Sequence, residues 1–244
     1  MGLYQPGTCK WILNSGQWAT WTEKIKETSS SDSRGMWIYG IPGAGKTILA
    51  AFIAKTILGL RDVLDDSDAA NANLPCASAY YYCFHGRNHD ETGPFLRWLL
   101  SQLGRQADFV PRKVGRLYQT DCQPTMDELL DGIKEISVLF SKVLISIDAV
   151  DESENREVLA TLLQSMANSK EFGNFHIVIL SRREQDIERH MTSFIKLSMS
   201  NQWVDNDIAD YIDVKLRALS SFQRWSPSLQ DDIKQTLSAK ANGM

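Results

Sequence analysis

Residues 40–47, Gly-Ile-Pro-Gly-Ala-Gly-Lys-Thr, set three glycines and a lysine between an apolar run and a helix-forming run. Gly40, Gly45, Lys46 and Thr47 satisfy the spacing G-x-x-x-x-G-K-[ST]. Glycines let the backbone curl around an anion so that several N–H groups point inward. The helix that follows offers its positive N-terminal end. On this reading Lys46 reaches the outer phosphates of a nucleoside triphosphate and Thr47 binds Mg2+. The expected nucleotide contacts are Gly40, Pro42, Gly43, Ala44, Gly45, Lys46, Thr47 and Ile48.

A triphosphate needs a metal, and the metal needs a carboxylate. Residues 143–152, VLISIDAVDE, supply one. Val143 to Ile147 read as a strand, and Asp148 stands at its C-terminal end, where ligands bind in open α/β sheets. Asp148 is expected to share the Mg2+ with Thr47, acting through water. Asp151 and Glu152 follow in the loop, and one of them is expected to orient or deprotonate the attacking water. The competing reading is a solvated acidic turn. A further apolar strand, in IVILSRRE, ends at Ser181 and Arg182. If it flanks the phosphate-loop strand, Arg182 comes to the γ-phosphate; otherwise it is half of a surface arginine pair.

Weaker patterns carry less chemistry. Cys83, His85 and His89 form C-x-H-x3-H, but a zinc site needs about four ligands and no partner cluster lies nearby. Tyr80, Tyr81 and Tyr82 read as sheet packing rather than a base-stacking platform. Trp11, Trp18 and Trp21 read as packing on the core or at a domain contact, with a place beside the base as the alternative.

Positioning these groups takes a layered fold. The pattern predicts strands over 36–39, 77–84, 143–147, 175–180 and 194–197. It predicts helices over 17–27, 47–60, 95–103, 126–140 and 156–167, with Thr125 and Glu128 as a capping box, and an acidic loop over 61–75. Beyond Trp203 only helices are predicted, over 205–219 and 228–239. Strands alternating with helices imply the α/β class: a five-stranded, mainly parallel sheet flanked by helices, with a small C-terminal helical subdomain. The expected division is a Trp-rich segment over 1–34, a core over 35–200 and the helical subdomain over 201–244.

Composition narrows the setting. The chain has 244 residues, 43% hydrophobic and 23% charged, which is ordinary for a globular domain. A formal charge of −4 lacks the clustered basic face of a nucleic-acid binder, so no nucleic-acid partner is expected. The longest apolar run, Ile48 to Leu60, is broken by Lys55 and too short for a bilayer, so no membrane partner is expected. Gly2 is followed by Pro6 where a myristoylation signal wants Ser or Thr, and no secretory signal is visible. Cys9, Cys76, Cys83 and Cys122 show no paired spacing and read as reduced thiols of a cytoplasmic protein.

Taken together, GTCKWIL, WIYGIPGAGKTILAAFI, AYYYCF, VLISIDAVDE, ILSRREQDIE, DIADYIDVKL and AKANGM resemble the NACHT nucleotide-binding module of fungal NOD-like receptors, a STAND-class P-loop NTPase also described as the nephrocystin-type N-terminal domain. The resemblance runs from about Thr8 to Met244. It implies a signalling switch that closes over ADP or ATP with Mg2+, hydrolyses slowly, and self-associates in the full-length receptor. It matches Lys46 and Thr47 to the phosphate loop, Asp148, Asp151 and Glu152 to the acid cluster, and Arg182 to the sensor arginine. Two departures stand out: Arg183 replaces the usual proline, which is expected to loosen that turn, and Ser146 interrupts an apolar strand. The family continues into a winged helix and repeats, so the chain is expected to be an excised or truncated module. The base stays open between adenine and guanine (GTP/GDP), since no base-reading motif is legible. A scaffold with a structural, unhydrolysed nucleotide is the alternative function. A metabolic kinase would need an acceptor lid for which there is no motif.

Overall fold

The computed structural model describes residues 7–26, 33–67, 74–84, 86, 90–119, 123–218, 222 and 224–241. His85, His89 and Cys122 lie outside them. Chain order runs α1 (Gly16–Lys26), β1 (Gly35–Tyr39), α2 (Lys46–Ser67), β2 (Cys76–Tyr82), α3 (Thr92–Gln106), α4 (Arg112–Gln119), α5 (Met126–Ser137) and β3 (Lys142–Asp148). It continues with α6 (Arg156–Asn168), β4 (Phe175–Ser181), α7 (Gln185–His190), β5 (Ile195–Ser198), α8 (Gln202–Ala218) and α9 (Pro227–Ala241).

The five strands form one sheet in the order β2-β3-β4-β1-β5. Every pairing is parallel. The central strands β3 and β4, KVLISID and FHIVILS, are mostly apolar and rich in Val and Ile because both faces of the sheet are covered there. On one face α3, α5 and α6 bury Leu99, Ile133 and Leu163 against Ile145, Ile177 and Ile179. On the other, α1 and α2 bury Trp21, Leu49 and Ile53 against Leu144, Val178 and Leu180. Trp18 and Trp21 therefore belong to the core, their rings 5.1 Å apart, and the Trp21 Nε1–H donates to Arg34 O at 3.3 Å. Trp11 packs against the same cluster.

The capping box at α5 is present: Thr125 N donates to Glu128 at 2.8 Å, and Glu128 N donates to Thr125 Oγ1 at 3.3 Å. The acidic stretch after Leu60 departs from its predicted loop, since α2 runs on to Ser67. Leu64 packs on the core, and the Asp65 carboxylate accepts the Cys76 N–H at 2.6 Å. The helix end is thereby fastened to the start of β2. β2 is an outer strand whose free side is covered by side chains. Gln106 accepts from Ser78 N at 3.0 Å and donates to Ser78 O at 2.8 Å. The Trp98 indole donates to Tyr80 O at 2.7 Å. The tail helices join the body through Val204 and through Asp207, which accepts the Cys9 N–H at 2.6 Å.

His176 on β4 is 1% exposed, and neither ring nitrogen has a hydrogen-bond partner. Burial, reinforced by the charges of Lys142 and Arg34, pushes its pKa down to about 3. The folded pKa lies below that of the unfolded chain, so the unfolded state binds the extra proton and stability falls as pH drops below about 6.5. His176→Leu is expected to reduce the loss between pH 7.5 and pH 5 by about 2 kcal/mol. Urea midpoints of both proteins at the two pH values check this; equal losses refute it.

Candidate functional site

β1 delivers the chain to the phosphate loop, and the loop is shaped by its glycines. Gly43 and Gly45 sit at φ 81° and 80°, which side chains rarely adopt. Gly40 has no room for a Cβ, which would lie 2.9 Å from that of Met199. Gly40 N donates to Ser181 O at 3.3 Å, tying the loop to the end of β4, and Leu49 N donates to Gly45 O at 2.9 Å, starting α2. Pro42 and Gly43 are exposed, Ala44 is buried, and Ile48 packs against the core beneath. The Lys46 ammonium bridges Gly40 O at 2.9 Å and Ile41 O at 2.8 Å, so its side chain folds over the loop.

Asp148 ends β3, two strands away, and is 2% exposed. Burial pushes its pKa up to about 6, opposed by the Thr47 hydroxyl, the Ala149 N–H and the charge of Lys46. Its Oδ1 is buried without a hydrogen-bond partner. A hard cation, or water held by one, suits such an oxygen beside a hydroxyl, so Thr47 and Asp148 fit the expected Mg2+. Ala149 follows at φ 59°, a strained position for a residue with a Cβ. The kink turns the chain into the short 3-10 turn Val150–Glu152, which carries the other two acids.

Asp151 is not open to water. Its Oδ1 accepts the Arg182 N–H at 2.8 Å, and its Oδ2 lies 3.1 Å from Arg182 Nε. The parallel pairing of β4 with β1 brings Arg182 beside the loop, as the strand-flanking reading required. Burial draws the Lys46 pKa down; Asp151, Asp148 and Glu152 oppose this, while Arg182 adds to it. Lys46, the three acids and Arg182 thus form one charge cluster. Arg183 stands where the family pattern has proline. It pairs with Glu188 at 2.8 Å and lies over the Tyr39 ring at 5.4 Å.

Glu91 was not singled out by sequence. It is fully buried, accepts from the Tyr81 hydroxyl and from Phe84 N at 3.4 Å, and its own N–H donates to Ser153 Oγ at 3.2 Å. It braces the acid turn from behind. A carboxylate just before the helix sequence TGPFL was the signal available, but nothing local distinguished it from a solvated cap. Tyr80 and Tyr82 line a groove of about 440 Å3 with Trp98 and Arg97, and Tyr82 also stands opposite Asp148 in the pairing of β2 with β3. Cys83 is buried, and burial raises its thiol pKa far above the usual range. No group of three or more His, Cys, Asp or Glu arranged for a metal occurs among the described residues.

A glycine loop between β1 and α2, with β4 intervening before the acid-ended β3, defines a P-loop NTPase fold. The family model of the nephrocystin 3 N-terminal domain matches residues 7–182, and the chain belongs to that family. No curated protein matches the chain. Among solved structures, the Aeropyrum pernix ORC1 protein in complex with DNA is 13% identical with a TM-score of 0.54, covering 86% of this chain and 50% of that one. Cdc6p of Pyrobaculum aerophilum is 12% identical (TM-score 0.46), covering 88% and 53%. Domain III of Thermotoga maritima DnaA is 14% identical (TM-score 0.44), covering 97% and 79%. The chain spans about half the length of ORC1 and Cdc6p, and the ORC1 likeness establishes the fold alone.

One expectation is corrected by this comparison. The charge balance excluded nucleic acid, yet the ORC1 structure, which shares the fold, is a complex with DNA. A net charge of −4 is a sum over the whole chain, whereas a polyanion meets only a local surface. The exclusion therefore does not stand. Among the described residues no helix is long and apolar enough to cross a membrane.

The raised Asp148 pKa has a consequence for stability. The folded value, about 6, exceeds the unfolded value of 3.8. Stability is therefore fully present below about 3.8 and lost as pH rises through 6, by up to about 3 kcal/mol. Asp148→Asn is expected to raise the melting temperature of the metal-free protein at pH 7.5 and to gain little at pH 4. Calorimetry at both pH values checks this; a lowered melting temperature at pH 7.5 refutes it.

Proposed function

We propose that this chain is the nucleotide-binding module of a signalling switch of the NACHT type, cytoplasmic, with slow Mg2+-dependent hydrolysis of a nucleoside triphosphate. The observation that carries the reading is the buried, unpartnered Asp148 Oδ1 beside Thr47, across β4 from the phosphate loop. Backbone N–H groups over 43–48 and the Lys46 ammonium would hold the phosphates. Thr47 and Asp148 would hold Mg2+, whose charge offsets that of the phosphates. The acid turn would orient the attacking water, and Arg182 would meet the γ-phosphate, giving a charge-assisted contact absent with a diphosphate. The D-x-x-D-E spacing from Asp148 to Glu152 and the Ser181-Arg182 pair support the NACHT assignment.

The division into 1–34, 35–200 and 201–244 belongs to the same reading. It is supported by the all-helical tail, where α8 and α9 are joined through Asp213, 3.4 Å from Lys234. Leu229 and Leu237 on α9 are 44% and 49% exposed.

Titration calorimetry with Mg-ATP, Mg-GTP and the diphosphates tests the reading and chooses the base. Lys46→Ala is expected to weaken binding about ten- to a hundredfold, the range for losing a charged hydrogen-bonding group. Equal affinity in wild type and variant overturns the phosphate-loop assignment. Steady-state phosphate release then separates a slow switch from a scaffold that keeps its nucleotide unhydrolysed.

A further inference from the structure

Both oxygens of Asp151 are taken by one residue. Oδ1 accepts the backbone N–H that follows β4, at 2.8 Å, and Oδ2 lies 3.1 Å from the guanidinium Nε as an ion pair. The Asp151 side chain is 6% exposed and that of Arg182 is 48% exposed. Exposed ion pairs are loose and contribute little. This one differs because the acid is buried and also grips the backbone, so the turn and the side chain are fixed together. The ion pair is made at Nε, and the terminal nitrogens of the guanidinium carry four further N–H donors that can meet an anion.

Arg182 also shares its surroundings with Lys46, another cation. Two cations meant to meet one phosphate repel each other, and a carboxylate between them removes that cost. We propose that Asp151 is a positioning residue rather than the water-orienting base: it aims Arg182 at the γ-phosphate and offsets the repulsion between Arg182 and Lys46. The water-orienting role expected of one acid of the turn is then tested at Glu152. This rests on the reading that a nucleoside triphosphate occupies the loop, and it separates two acids that sequence alone leaves interchangeable.

The two roles differ in what they change. A water-orienting group affects cleavage and leaves binding alone. A positioning residue for Arg182 affects the preference for triphosphate over diphosphate. The experiment measures the affinity ratio of a non-hydrolysable Mg-triphosphate to Mg-diphosphate, together with single-turnover cleavage of ATP or GTP, whichever binds. The proteins are wild type, Asp151→Asn, Arg182→Ala, Arg182→Lys, the Asp151→Asn/Arg182→Ala double variant and Glu152→Gln.

Asp151→Asn and Arg182→Ala are each expected to lower the ratio about tenfold, and the double variant no further, as for two residues acting through one contact. Arg182→Lys keeps the charge but lacks the fork that reaches both Asp151 and the phosphate, so its ratio is expected to fall as well. Because Arg182 is half-exposed, that variant keeps the test open should Asp151→Asn fail to fold. Glu152→Gln is expected to keep the ratio and lose cleavage. Asp151→Asn with an intact ratio and slowed cleavage overturns the assignment, as do additive losses in the double variant or an unchanged ratio in Arg182→Lys. If wild type binds neither nucleotide, the functional reading itself falls and this proposal with it.

Discussion

The site depends on β4 lying between β1 and β3 in a parallel ladder. Parallel strands all point the same way, so the segments that follow them emerge at one edge of the sheet. The ladder sets Tyr39 opposite Ser181 and Ile147 opposite Ile179. At a spacing of about 4.8 Å per strand, the ends of β1 and β3 stand roughly 10 Å apart with the end of β4 between them, and Thr47 and Asp148 close that gap from the two sides. The ladder even continues past the strands: Gly40 N reaches Ser181 O, and Cys83 N reaches Asp148 O at 3.0 Å. No single motif creates the site; a shift of one register position would separate its members.

The site is also a place where the fold gives up stability. Asp148 is held where its charge is disfavoured, Ala149 occupies a left-handed conformation, and two cations approach each other. Each is tolerated because apolar layers on both faces, from Leu99 and Ile133 on one side and Trp21 and Leu49 on the other, hold the strands in place. The buried glutamate behind the acid turn adds a second clamp from α3. Strain and burial at the strand ends, set against a rigid sheet, are what a binding site for a charged ligand requires.

Much of this was legible beforehand. The glycine-lysine loop, the five apolar strands and the acid at the end of β3 are local patterns, and local patterns survive without knowledge of what packs on what. The missed features are those set by tertiary contact. The extension of α2 depends on Leu64 finding the core and on Asp65 meeting Cys76. The short helices α4 and α7 have too few turns to show a period; Val114 and Ile187 are buried only because α3, α5 and α6 lie beneath them. The union of Asp151 with Arg182 joins residues 31 apart, and no spacing rule could anticipate it.

The outer side of β2 carries a separate implication. The Gln106 amide mimics a neighbouring strand by giving and taking one hydrogen bond each, and the Trp98 indole covers the next carbonyl. A sheet margin left bare is a template on which foreign backbone can polymerise. Here the Ser78 peptide groups and the Tyr80 carbonyl are occupied by side chains rooted in α3, which disfavours pairing of another strand at these positions. The surface presented along this margin is accordingly one of tyrosine and tryptophan rings with an arginine beside them.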